Sequence, residues 1–449
     1  MARLTVRAAL LSLAVSAVCG CFRATPVDPG ARAVTVVTPS AQAANVPAVE
    51  PGMVAGAAPL TLTLSEALER AIAANPELAA LHAKTAADAA RIDEADDLEN
   101  PELRLTDVNL RDGGDTSELT LRARPPLPGA VQARAEIARA DFEQSSAQAE
   151  RARQLLAVRV RELFDLALLQ ERAAALAAEA ATLESRELAL LEREVARGVT
   201  TRGDVAERAL DSARTRRDCD RAARRMAASR EALASLLAVP TATPVVPVGE
   251  PSAPASLEAL GAGELVERAL RARPEIRGAA ASIDAAHAEA WLERAEQWPW
   301  LSFVQVGYDF RPSGAEAWQA GVAVDLPLFH RNRDGVRAAE ADLFVVRRGF
   351  EAVVREIADE VRTSLAHARD AASDLERFRQ GAARATASGR RAIAAARTLG
   401  QASEGDLVRA ERRDIEATLT ELELTEEYIA AFAELVAAVG ELSGPASGN

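Results

Sequence analysis

Over most of the chain, apolar residues recur at the three- and four-residue spacing that lines one face of a helix. The pattern predicts helices over 64–98 and 131–197, the second carrying Leu155, Leu156, Leu163, Phe164, Leu166, Leu183, Leu190 and Leu191 with no internal proline. A second pair is predicted over 263–296 and from about 332 to 398. A helix over 131–197 would be about 100 Å long at the usual rise per residue, and no compact domain needs one. Period-two alternation takes over at 102–111 and 117–124, around the turn DGGD, and again at 300–310 and 317–326.

Within the third strand, Ser302, Val304, Val306, Tyr308 and Phe310 share one face; Leu301, Phe303, Gln305, Gly307 and Asp309 share the other. The first face suits lipid, since a membrane-spanning strand needs about 9–11 residues with outward apolar side chains and aromatic girdles at the headgroups. All four tryptophans lie between Trp291 and Trp318. Trp298, Trp300, Tyr308, Phe310 and Trp318 are therefore the candidate membrane belt, the alternative being a soluble sheet packed by the same aromatics. The first hairpin alternates too, but carries more charge and no aromatic residue.

The two halves repeat one another. NPEL at 75–78 answers RPEI at 273–276, and ENPELRL around Pro101 answers QWPWLSF around Pro299, each 198 residues on. PLP at 126–128 answers PLF at 327–329 with a spacing of 201, and GVTTRGDV at 198–205 answers GQASEGDL at 400–407 with a spacing of 202. Four matches in one order mark a duplicated unit of helix, two strands, very long helix, turn and return helix, with repeats at 59–250 and 251–444 and a tail at 445–449. Ser65 is placed to cap the first helix, and Gly198, Gly203, Gly400 and Gly405 to break the long helices for a tight reversal.

Charge narrows the function. The chain has 53 basic and 67 acidic residues, a net charge of −14, which argues against a general nucleic-acid surface. Residues 1–20 combine a basic start with a short apolar run, as an export signal does. They end in VCGC, which resembles the bacterial lipoprotein cleavage box, with Cys21 the acylated first residue of the mature chain; an ordinary secretory signal is the alternative. Several acyl chains, palmitate among them, would anchor it stably. Residues 21–58, rich in Ala, Pro, Val and Thr, read as a tether. His82, His287, His330 and His367 are scattered without a ligand spacing and Cys219 is the remaining thiol, so no metal site and no cofactor are expected. No phosphate-binding loop or nucleophile set points to an enzyme.

Closure is the governing constraint. Sheet edges cannot face hydrocarbon, and two hairpins supply four strands against the roughly eight of the smallest single-chain barrels. Several copies must pool their strands.

With these features the chain resembles the TolC-type outer-membrane efflux channels, over nearly all of residues 60–443. The resemblance is carried by LTLSEALERAIAANPEL, the duplicated units, DLPLF after the second hairpin, and the tips Gly198–Val205 and Gly400–Leu407. LPLFHRNRDG and RPPLPGAVQARAE further resemble the branch serving heavy-metal pumps. The resemblance implies a mainly α fold with a β-barrel part: a homotrimer whose twelve-strand barrel in the outer membrane continues as a twelve-helix periplasmic tunnel. It also implies partners, namely outer-membrane lipid, a periplasmic adaptor (membrane fusion) protein and a proton-driven inner-membrane efflux pump. Asp204 and Asp406 match tip aspartates, Asp406 standing where an inward acid narrows the entrance; each could equally cap its return helix. Arg409 replaces a second acid at that gate. Gly198, Val199, Thr200, Gly400 and Gln401 fall where the adaptor is expected to dock. The competing class is a lipid-anchored periplasmic coiled-coil scaffold or adaptor.

Overall fold

Each half of the chain builds the same run of elements, described over residues 59–110, 114–240, 243–252, 257, 261–310, 317–329, 331–398 and 403–440 of a computed structural model. The first half contains β1 (Leu60–Leu62), α1 (Leu64–Ala74), α2 (Pro76–Asp96), β2 (Glu102–Leu110), β3 (Gly114–Ala123), α3 (Ala130–Ala196) and α4 (Arg202–Leu236). The second contains β4 (Val245–Pro247), α5 (Ala262–Ala272), α6 (Pro274–Ala295), β5 (Trp300–Phe310), β6 (Ala317–Asp325), α7 (Arg333–Thr398) and α8 (Glu404–Val439). Cys21 and the tether, Gly400, Gln401, and the tail fall outside the described residues.

The long helices run as their periodicity predicts, α3 over 67 residues and α7 over 66. The shorter stretches 64–98 and 263–296 do not. Each is two helices, because Pro76 and Pro274 lack an N–H and force the preceding residue out of the helical region. Asn75 and Arg273 are accordingly extended, at φ −73, ψ 117 and φ −79, ψ 122. The cap of α1 is Thr63 rather than Ser65: its hydroxyl accepts the Glu66 N–H while the Glu66 carboxylate accepts the Thr63 N–H at 2.8 Å. The parallel ribbon of β1 and β4, pairing Leu60 with Val245, is an addition; three-residue strands are too short to show periodicity.

The duplication extends into the core. One apolar cluster holds Ala67, Ala71, Val160, Phe164 and Leu237. The other holds Leu265, Ala269, Val361, Leu365 and Val439, their counterparts at the spacings of 198, 201 and 202 found in the sequence. α3 joins the halves, packing Leu169 on Leu422 and Ile429, and Leu183 in one cluster with Val408 and Ile415. At the end of α8, Arg151 donates to the Ala437 carbonyl at 2.8 Å and Arg273 to that of Ala438 at 3.3 Å, cations placed where the helix dipole is negative. Gly440 follows at φ +79, and a side chain there would meet Arg273.

Because Phe164 and Leu365 fill corresponding positions, Phe164→Ala is expected to cost about 3–5 kcal/mol and Leu365→Ala about 2–5 kcal/mol. Thermal melts followed by circular dichroism check this; a loss below about 1 kcal/mol at either site removes the equivalence of the two cores.

Candidate functional site

The four long strands form one sheet in the order β2-β3-β5-β6, antiparallel throughout, so β2 and β6 each leave one edge unpaired among the described residues. The register sorts side chains by chemistry. Leu103 opposes Leu121, Leu121 opposes Val306, Val304 opposes Val322 and Tyr308 opposes Trp318, which gathers an apolar face from all four strands. Nothing among the described residues covers it: Leu103 is 67% exposed, Val322 69% and Trp318 75%. Tyr308 packs edge-on against Phe310 and Trp318, with ring centroids 4.7 and 5.0 Å away.

The reverse face is polar and tied together. Arg122 donates to the Gln305 Oε1 at 3.0 Å and lies 4.1 Å from the Phe303 ring centroid; Gln319 donates to Asp309 at 2.5 Å, and Thr120 to Glu118 at 2.8 Å. Gly307 leaves the room that the Glu118 and Thr120 side chains use. The charges that weakened the first hairpin in the sequence, Glu118 and Arg122, thus belong to this face. Trp300 does not share the apolar face. A register shift between Leu301 and Phe303 inverts the alternation at the base of β5, so that Leu301 pairs with Val324 and Trp300 with Asp325. The Trp300 Nε1 donates to the Pro125 carbonyl at 3.1 Å, tying the strand to the segment before α3. Trp298 lies just ahead of β5 and is 74% exposed.

At the far end of the long helices, α3 stops in a left-handed Gly198 at φ +73. The Val199 N–H reaches the Glu194 carbonyl and the Gly198 N–H that of Val195, both at 3.0 Å, which satisfies carbonyls left over at the helix end. Gly203 and Gly405, expected in the reversals, sit inside the first turns of α4 and α8. The caps are Thr201 and Ser403, and Asp204 and Asp406 close reciprocal capping boxes three residues later rather than capping directly. Asp204 accepts from the Thr201 N–H at 3.0 Å and from the Thr200 and Thr201 hydroxyls at 2.9 and 2.7 Å. These bonds hold its carboxyl below the usual range. Asp406 accepts the Ser403 N–H and hydroxyl at 2.8 and 2.7 Å and the Arg409 guanidinium at 2.6 Å, which brings its pKa down to about 2, the Ser403 bonds contributing most.

Arg409 is more than a missing acid. Its Nη1 also reaches Glu187 of α3 at 3.2 Å. Glu187 and Glu184 are 1% and 0% exposed, and Arg208 from α4 and Arg412 from α8 approach them at 3.4 to 3.5 Å. Glu184 and Glu187 went unnoticed in the sequence because their spacing on α3 is that of any solvated helical acid; burial alone singles them out. Among the described residues no group of His, Cys, Asp or Glu has the geometry to hold a metal. His82, His287 and His367 lie on α2, α6 and α7, and Cys219 is half-buried on α4. No described helix is long and apolar enough to cross a membrane.

A long helical hairpin is thus joined to a sheet with one exposed apolar side, and known proteins share this architecture. Residues 265–441, most of the second repeat, match the outer membrane efflux protein family. A cobalt-zinc-cadmium resistance protein, CzcC of Cupriavidus metallidurans, is 27% identical over 280 residues; the match spans 62% of this chain and 66%, just under two thirds, of that protein. The solved structure of CusC shares the fold over 84% of this chain and 92% of its own, with a TM-score of 0.69 at 18% identity. The outer membrane protein VceC of Vibrio cholerae does so over 84% and 96%, with a TM-score of 0.67 at 17% identity. The resemblance to TolC-type outer-membrane efflux channels drawn from the sequence motifs is thereby borne out.

Asp406→Asn is expected to raise amide exchange across Ser403–Arg409 at neutral pH, read by hydrogen–deuterium exchange. A carboxyl with a lowered folded pKa stabilises fully above its unfolded value near 3.8 and loses that contribution as pH falls through about 2, so the two proteins should converge over that window. Equal exchange at pH 7 excludes the capping role.

Proposed function

We propose that the chain is the outer-membrane channel subunit of a tripartite efflux system, passively conducting substrates handed over by an inner-membrane pump and a periplasmic adaptor. One observation carries the reading: a four-strand sheet whose apolar face is bare, whose polar face is internally hydrogen-bonded, and whose two edges are unpaired. In hydrocarbon such edges are untenable, and three copies edge to edge would close a twelve-strand barrel with the polar faces around the bore. Trp318, Tyr308, Phe310 and Trp298 then reach the lipid interface, while the long helices continue the conduit into the periplasm. The Cys21 acyl group anchors the N-terminus to the outer membrane.

The entrance lies at the helical tips. Asp406 and Asp204 hold the ends of α8 and α4 in shape, and Arg409 partly neutralises the acidic ring that three Asp406 side chains would form. Gly198, Val199 and Thr200, with Gly400 and Gln401 of the second tip, are the adaptor's docking points. Likeness to a cobalt-zinc-cadmium resistance protein favours transition-metal cations as cargo, driven by a proton-coupled pump. A conduit needs no resident metal site and no catalytic group.

The protein is expected to migrate as a heat-modifiable trimer from an outer-membrane fraction and to form channels in planar bilayers. Val322→Arg, on the bare face, should abolish insertion at a cost of about 2–4 kcal/mol per copy near the midplane, while Thr120→Arg on the opposite face should still assemble. A carbonate-extractable monomer after Cys21→Ala replaces the channel with a lipid-held scaffold. Separately, Asp406→Ala is expected to change conductance or cation selectivity; unchanged values for both remove the gate assignment alone.

A further inference from the structure

The duplicated return helices have diverged to opposite charge. Between Arg214 and Arg230, α4 carries seven arginines and two aspartates; the corresponding stretch of α8, residues 416–432, carries five glutamates and no basic residue. The core pattern, by contrast, is kept. Ser212, Thr215, Cys219, Ala222, Met226 and Ser229 are buried or half-buried at alternating three- and four-residue steps, which forms the seam of α4 against α3. Arg214, Arg217, Arg221 and Arg224 stand on the side away from that seam, also three and four residues apart and all exposed, along about 15 Å of helix.

This arginine stripe is under-compensated. Arg214 pairs with Asp211 and Arg217 with Asp218, both on α4 itself, whereas Arg216, Arg221 and Arg224 have no hydrogen-bond or ion-pair partner among the described residues. Of the α8 acids, Glu416 pairs with Arg412, Glu421 with Arg379 and Glu423 with Arg225 of α4, and Glu426 accepts from Gln170; Glu423 and Glu426 share a groove with Arg217 and Arg221 without pairing to them. Nor does α7 offer an acidic surface at that level, since residues 371–387 hold Arg377, Arg379 and Arg384 against Asp374 and Glu376.

We infer that this face of α4 docks an acidic helix of a partner protein. Guanidinium groups three and four residues apart match carboxylates at the same spacing on a helix laid alongside, and that periodicity distinguishes such a helix from a flexible polyanion. The inference rests on the channel reading, which gives these helices a periplasmic partner, and it adds the partner's chemistry and a strip beginning well above the tip residues.

The test uses the full-length protein in detergent with two alanine-rich peptides of one composition, the first with glutamates three and four apart on one face, the second with them scattered. By fluorescence anisotropy at physiological ionic strength the striped peptide is expected to bind about tenfold more tightly, with a steep loss at high salt. Replacing Arg217, Arg221 and Arg224 together by glutamate or by glutamine should abolish the difference, with the glutamine form guarding against a simple loss of folding. Equal binding of both peptides, or displacement of the striped one by polyglutamate at equal charge, reveals a nonspecific anionic surface and overturns the proposal. Dissociation of the trimer by the glutamine variant assigns the stripe to contact between copies, which also overturns it. Channel conductance is recorded in parallel: its absence from the unaltered protein fails the channel reading, while normal conductance without striped-peptide preference fails the docking inference alone.

Discussion

An unpaired backbone amide cannot be left in hydrocarbon, and in the proposed function that demand governs the rest of the structure. Among the described residues, four strands give a sheet with two unpaired edges and one exposed apolar side, which the proposed membrane setting would cover. The polar side needs no partner, because Arg122, Gln305, Asp309 and Gln319 satisfy one another. The proposed trimer is the arrangement that removes both defects together. In that proposal, helices of 67 and 66 residues hold the sheet far from the site where substrate would enter.

The duplication supplies the economy of the design and its divergence supplies the specialisation. Core positions recur faithfully: Val160 and Val361, Phe164 and Leu365, Leu237 and Val439 fill the same places. The capping boxes Thr201–Asp204 and Ser403–Asp406 recur as well, since both return helices must start at the same kind of sharp reversal. What differs lies off the seam. Glu184 and Glu187 of α3 face three arginines, whereas the corresponding positions of α7, Ala385 and Ser388, carry no charge. Each buried carboxylate is tolerable only because cations surround it, so α3 holds both α4 and α8 by ion pairs unavailable to α7. The tip of the second repeat is thereby tied to the first.

Much of this was legible in the sequence for a simple reason: long helices, hairpins and a duplication are periodic, and periodicity survives without coordinates. The extents of α3 and α7, the four strands, the repeat spacings and the aromatic end of the sheet were all written in local pattern, and the motifs sufficed to find the channel class. Residue-level roles were less visible wherever they depend on backbone entry or on a distant neighbour. Thr63 rather than Ser65 caps α1, and prolines 76 and 274 divide what hydropathy joins, because apolar spacing carries over a break that keeps the buried face aligned.

Sequence by itself determined the two long helices, the four long strands and their order, because these depend on side chains a few residues apart. Only the tertiary structure decided that a shifted register turns Trp300 inward to the Pro125 carbonyl, that the charges of the first hairpin lie on the polar side, and that Arg409 bridges Asp406 to a buried glutamate 222 residues away in the chain. The physical reason is common to all three. Register and burial are set by the packing of distant segments, and a charge has the same letter in the sequence whether water or another helix surrounds it.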